Sequence, residues 1–329
     1  MKYSKHMLNI LTAKKFKGIG DAWIFKNLKK DLPLEEILSL LKKHLIKENS
    51  TDDEKEKFTE KYFKEKQKEV INNLDKLSGF YDGIVVFGDK NFPKLRTNQK
   101  IKDIDHPMVL FYKGDISLLD LSNHNVAVIG LLEPDEFIEK QERDIVDRLA
   151  KNNITIVSGL ALGCDRIAHH QALCSGSKTI AILPSPLNNI IPKQCNPIAE
   201  YIGNKGGLLI TEYYDEPESK YELNGRFIRR DRLQALFSDS VLLIASYSKS
   251  MSDKDKSCDS GARHAMEKAK AYGITRAVMY STSNIKDDKY ALNRELMKSD
   301  KDIIVVNPHA INDTIDRLLI KEEKQKSLF

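Results

Sequence analysis

The densest chemistry in the chain is the run Arg226-Phe227-Ile228-Arg229-Arg230-Asp231-Arg232-Leu233, with four arginines in seven residues. A guanidinium is a planar fork of donors that matches phosphate oxygens and can also stack on a base. Phe227 adds a second stacking surface. The run reads as the opening of a helix near 227–238, after a long loop over 212–226. Phe227, Arg229, Arg230 and Arg232 are therefore candidates for nucleic-acid contact. The competing reading is a surface charge cluster with Phe227 in the core.

A second candidate is the turn Ile156-Val157-Ser158-Gly159-Leu160-Ala161-Leu162-Gly163-Cys164-Asp165-Arg166-Ile167-Ala168-His169. Gly159 and Gly163 bracket a passage from strand to helix. Free N–H groups and the positive dipole end at such a helix start suit an anion, which makes Ser158 and both glycines candidate contacts. Asp165 and His169 stand four residues apart on one helix face. Taken singly, they read as a helix cap and a satisfied, partly buried histidine. Two side chains without a third ligand define no metal site. Gly130 ends the apolar run Val126–Ile129, where a missing Cβ permits a ligand or another backbone to come close. Asp259-Ser260-Gly261 opens a further helix, with Ser260 or Asp259 as its cap. Gly18-Ile19-Gly20 fits a helix-hairpin-helix turn offering backbone N–H groups to a DNA phosphate, or an ordinary turn between helices. The chain has no GxGxxG, Walker loop, Gly-x-Ser-x-Gly, HExxH or kinase loop. The sequence thus assigns no catalytic residue, no metal and no cofactor.

The elements that must position these residues follow from periodicity. Near-continuous apolar runs fall at 84–87, 108–112, 126–129, 154–157, 179–183, 208–210, 241–245, 277–280 and 303–306. Amphipathic stretches separate most of them, near 135–151, 165–175, 195–203, 227–238, 260–272, 289–298 and 310–320. This alternation predicts βαβ units in a doubly wound, mostly parallel Rossmann-like sheet, buried on both faces. In such a sheet a ligand lies at the carboxyl ends of the strands, near the point where the winding reverses. Residues 1–46 read as short helices and 47–69 as a solvated helix or linker. The expected organisation is a helical domain over 1–78, an extended core over 79–320 and a frayed tail over 321–329.

The 329 residues carry a net charge of +5. Residues 1–70 hold 17 Lys and 12 acidic residues, whereas the other 259 hold 36 of each sign. The excess favours a polyanionic partner or simply solvates a Lys-rich helix face. No apolar run is long enough to span a membrane. The N-terminus has no signal-peptide pattern, and the four cysteines show no CxxC spacing. A reduced, cytoplasmic protein without a membrane partner is expected.

Several of these segments, in this order, resemble the DNA-processing protein A (DprA, or Smf) family. They are Lys17-Gly18-Ile19-Gly20, Phe92-Pro93-Lys94-Leu95, Asp105–Asp115, Val126–Gly130, residues 156–169, Gly206–Tyr213, Phe227–Leu233 and Ser260-Gly261. The resemblance implies an extended Rossmann-like core and a small helical N-terminal domain. It also implies a single-stranded DNA site at the strand ends, a homodimer, and loading of a RecA-type recombinase onto protected strands. The chain departs from the family pattern in three places, one of them the loop before Ser260, which lacks the family's usual Ser-Gly-rich form. Gly130-Leu131-Leu132 stands where relatives have Gly-Ser-Arg, and Phe227-Ile228-Arg229-Arg230-Asp231-Arg232 where they have Phe-Pro-x-Arg-Asn-Arg. The leading expectation is a single-stranded-DNA-binding recombination mediator rather than an enzyme, in transformation, mobile-element or defence biology. The alternative is a nucleotide-ligand sensor or nucleotide N-ribohydrolase on a related core. Asp259-Ser260-Gly261 and Glu267 match the Pro-Gly-Gly-x-Gly-Thr-x-x-Glu motif of those enzymes poorly.

Overall fold

The structure, a computed structural model, describes residues 3–47, 58–259 and 261–319. Ser260 and the 321–329 tail lie outside the described residues. Among the described residues four helices come first: α1 (Lys5–Ala13), α2 (Asp21–Asn27), α3 (Leu34–Leu45) and α4 (Glu60–Lys76). Thr59 caps α4 by accepting from Tyr62 N, and the helix buries Phe63, Val70 and Leu74. Within 47–69, residues 60–69 thus lie in a helix and, apart from the buried Phe63, are largely exposed there, which fits the helix alternative.

The strands are β1 (Gly83–Val86), β2 (Val109–Gly114), β3 (Asn125–Ile129), β4 (Thr155–Ser158), β5 (Thr179–Leu183), β6 (Leu208–Thr211), β7 (Ser240–Leu243), β8 (Thr275–Met279) and β9 (Ile304–Val306). All lie within two residues of the apolar runs. They form one sheet in the order β1-β2-β6-β5-β4-β3-β7-β8-β9. β2 is antiparallel to both neighbours, and the six remaining pairs are parallel. Winding proceeds from β3 outward through β4, β5 and β6, then returns to β7 and runs the other way. The reversal lies between β3 and β7, where Ala127 stands opposite Val241.

The connecting helices are α5 (Glu136–Lys151), α6 (Cys164–Cys174), α7 (Asn196–Asn204), α8 (Lys220–Leu236), α9 (Lys249–Lys254), α10 (Arg263–Ala271), α11 (Ala291–Ser299) and α12 (Asn312–Leu319). Alternate strand residues feed opposite layers, as a pleat requires. Val126 and Val128 pack with α5, α6 and α12, whereas Ala127 and Ile129 pack with α8 and α10. On the remaining face α7 packs against β2, β5 and β6, and the N-terminal helices join the same apolar layer. One apolar cluster runs from Met7, Ile10 and Phe63 through to Phe111, Ala181 and Leu209.

Helix α8 starts seven residues before the periodicity suggests. Ser219 caps it by accepting from Glu222 N at 3.1 Å, and the Glu222 carboxylate accepts from Glu218 N at 2.8 Å. This reciprocal cap, together with the Glu222–Arg226 pair four residues apart, carries the helix through Gly225, whose low propensity masks it in the sequence. The loop of 212–226 shrinks to 212–219, and the arginines sit in mid-helix.

Candidate nucleic-acid interface

Three loops converge where the winding reverses. A Cβ on Gly130 would lie 2.6 Å from Cys164 Sγ and 3.3 Å from the Ala245 carbonyl oxygen. Gly163 has φ +70°, and a Cβ there would run into the carbonyl oxygens of Leu131 and Leu132. Leu131 O accepts from Cys164 N at 2.9 Å. These two glycines therefore let backbones pack against each other, and the start of α6 is sealed by the β3 loop rather than open to an anion. The Asp259 carboxylate ties the third loop in by accepting from Leu132 N at 3.3 Å and Gly261 N at 2.8 Å. It bonds Gly261 instead of capping α10, whose N-cap position is Ala262.

The residues that follow β4 point inward. Ser158 is buried and donates to Val128 O at 2.7 Å. Asp165 braces the turn by accepting from Gly159 N at 3.1 Å and Ala161 N at 3.3 Å. His169 is fully buried, 2.7 Å from the Thr179 hydroxyl. Burial, reinforced by the Arg230 charge, pushes its pKa down to about 3. It is a neutral core histidine. The space beside Gly159 where a Cβ would sit is filled by the Arg230 guanidinium.

The arginines form three ionic systems instead of one positive patch, with Arg229 and Arg232 sharing Glu212. Arg226 binds Glu222 and Asp215 and lies over the Tyr213 ring. Arg229 pairs with Asp21 of α2 and donates to Ile104 O at 3.1 Å. Arg230 faces Asp165 at 3.5 Å and Asp231 at 3.4 Å, with Phe227 stacked 5.8 Å away. Arg232 forks onto both oxygens of Glu212, at 2.7 and 2.6 Å, and donates to Asp105 O at 2.9 Å. The side chains of Arg226, Arg230 and Arg232 are 6%, 6% and 1% exposed, against 25% for Arg229. Arg230 and Arg232 are thus internal braces, because buried charges are held only where carboxylates and carbonyls replace water. Phe227 is half-buried and Ile228 exposed.

Asp259 stood out in the sequence only as a helix cap; the partner carboxylates Asp21, Glu212 and Asp215 were not singled out. Their only signal was Glu212, within the segment Gly206–Tyr213. Burial raises the Asp231 carboxyl to about 7, with Asp165 and Asp259 adding to the rise and Arg230 opposing it. On the solvent side, Arg166 of α6 and Lys249, Lys254 and Lys256 of the β7–α10 connection are exposed. Among the described residues no group of His, Cys, Asp and Glu side chains could hold a metal, and no helix is long and apolar enough to cross a membrane.

The sequence profile described as DNA recombination-mediator protein A matches residues 83–314, which takes in the whole sheet and all three converging loops. The chain belongs to this family. The Smf protein of Borreliella burgdorferi is 32% identical over 161 residues, which cover 49% of this chain and 48% of that protein. The DNA processing protein DprA of Streptococcus pneumoniae is 39% identical over 109 residues, covering 33% of this chain and 37% of its own length. The chain thus matches about half or less of these curated relatives. The S. pneumoniae DprA structure superposes with a TM-score of 0.72 at 23% identity, over 98% of this chain and 100% of that one. DprA of Helicobacter pylori, solved to describe its single-stranded DNA binding mode, gives a TM-score of 0.56 at 27% identity. That match covers 72% of this chain and 95% of that one. The nine-stranded sheet with a helical N-terminal region agrees with the fold expected of the family.

Proposed function

We propose that the chain binds single-stranded DNA across the carboxyl ends of β3, β4 and β7 and, as a homodimer, hands the strand to a RecA-type recombinase. The observation that carries this reading is Phe227. Its half-buried ring is held over the Arg230 guanidinium beside the converging loops, in a chain whose family includes a member with a single-stranded DNA binding mode. A fixed aromatic ring is a platform for a base of any sequence. Arg166, Lys249, Lys254 and Lys256 supply exposed positive charge for the phosphates. Gly130, Ser158, Gly159, Gly163, Asp165, His169, Arg230 and Arg232 act from beneath, by fixing the loops. Gly261 shapes the third loop. The charged N-terminal region and the 79–320 core act together on the same strand.

Fluorescence anisotropy with labelled oligo-dT, beside a matched duplex and mononucleotides, tests the reading. Tight, salt-sensitive binding of oligo-dT in preference to both is expected. Phe227→Ala should weaken it by about 1–3 kcal/mol, the worth of one base stack. Tight binding of a mononucleotide with none of oligo-dT would transfer the site to a small-ligand role.

A further inference from the structure

Arg229 is the one arginine of α8 with a quarter of its side chain in solvent. Its closest partner comes from outside the α/β layers: the carboxylate of Asp21, the first residue of α2. The same carboxylate takes Lys14 Nζ at 2.8 Å, and that lysine side chain is 36% exposed. Glu212 lies 4.0 Å from Arg229 Nε but is committed to Arg232. Burial pushes the Asp21 carboxyl up, yet Lys14 and Arg229 together hold it down at about 2, so it is ionised throughout the neutral range. Two cations from separate parts of the chain thus grip a single oxyanion, whose side chain is 11% exposed beneath the better exposed Lys14 and Arg229. A carboxylate and a phosphodiester offer a guanidinium the same pair of acceptor oxygens. The local balance is three cations (Lys14, Arg229 and Arg232) against Asp21 and Glu212, so releasing Asp21 leaves an excess of two positive charges.

We propose that Lys14 and Arg229 form a phosphate seat for single-stranded DNA, which Asp21 fills when no strand is bound and leaves when a phosphate enters. The seat rests on the single-stranded DNA reading above and extends the strand's path from the sheet ends along α8 to the α1–α2 turn. It also gives the positively charged N-terminal segment a part in binding, at a position set by the fold rather than by diffuse attraction.

The test is oligo-dT anisotropy across a salt series with the full chain, the Asp21→Asn and Asp21→Ser variants, and Asp21→Asn combined with Arg229→Gln. Thermal melts identify folded samples, and two different replacements guard against one of them failing to fold. Freed of its internal competitor, the seat should bind oligo-dT about 3- to 10-fold more tightly at low salt. The slope of log affinity against log salt should steepen by about 0.7, the value for one extra phosphate on a single strand. Arg229→Gln should cancel both changes. Unchanged or weaker binding by the folded Asp21 variants, with wild type binding oligo-dT, overturns the seat and leaves the DNA reading standing. A gain that survives Arg229→Gln also overturns it. Failure of wild type and Asp21 variants alike to bind oligo-dT overturns both, whereas binding by the Asp21 variants alone supports the seat as fully masked.

Discussion

Replacing Gly159 by alanine tests the packing beneath the strand ends. The added Cβ would fall within the Arg230 guanidinium. The backbone has no room to retreat, because Gly159 N is bonded to Asp165 and the neighbouring Ser158 hydroxyl to Val128 O. Arg230 must therefore leave. Its departure strips Asp165 and Asp231, whose side chains are 9% and 14% exposed, of their cation. Breaking a buried pair in this way costs about 3–5 kcal/mol. The Arg230–Asp165 contact is long at 3.5 Å, and Asp231 can take up a proton, so about 2–4 kcal/mol is the expected loss. For a chain of this size that corresponds to a fall in Tm of roughly 3–6 °C. Urea melts of Gly159→Ala, Arg230→Met and the double variant give the measurement. In the Arg230→Met background the clash with the guanidinium is gone, so the alanine should cost at least about 1 kcal/mol less there. A Gly159→Ala protein as stable as wild type, or two additive substitutions, would refute the packing argument.

Gly225 provides the opposite sign: a Cβ added there would meet nothing within 4 Å, so Gly225→Ala should stabilise the protein by about 0.5–1 kcal/mol, and a lower melt would contradict the open helical geometry assigned to it. Stability against pH should show two opposing groups. Asp231, raised to about 7, favours unfolding as pH climbs from about 4 to 7, while His169, lowered to about 3, favours unfolding as pH falls from about 6.5 to 3. Their contributions offset between about pH 4 and 6.5. Asp231→Asn should therefore make stability rise more steeply with pH in that window, and His169→Gln should make it fall; parallel urea profiles for all three proteins would sink the assignment.

The sheet was legible because parallel strands buried on both faces are written as uninterrupted apolar runs, and Val126–Ile129 and Thr179–Leu183 could hardly be read otherwise. The start of α8 was not, since its signal lies in a cap, Ser219 with Glu222, upstream of a glycine that interrupts the helical pattern. Candidate site residues were recognised by type but not by direction. Arg230, Asp165 and His169 do gather below the strand ends, yet Arg230 turns to Asp165 and Asp231 and His169 to Thr179, while Arg232 turns to Glu212, 20 residues away in the chain. Likewise, a glycine that admits a ligand and one that admits another backbone look the same in sequence. For Gly130 and Gly163 only the Cys164 thiol, the Ala245 carbonyl and the Leu131 and Leu132 carbonyls decide between them.

The placement of these ion pairs bears on how the loops are held. Helix α8 is the crossover from β6 to β7, so it is the element that carries the chain back across the reversal of winding. From this one helix, Arg226 reaches the segment after β6, Arg229 reaches α2, Arg230 reaches the β4–α6 turn, and Arg232 reaches the end of β6. Buried pairs of this kind add little net stability over apolar packing of the same volume. Their directional hydrogen bonds instead fix where each loop stands relative to the helix. Phe227 rides on the same helix between Arg226 and Arg230, so its position relative to all four segments is set by that ionic frame. A lost brace should therefore disturb the Phe227 platform even though Arg230 and Arg232 lie beneath the surface.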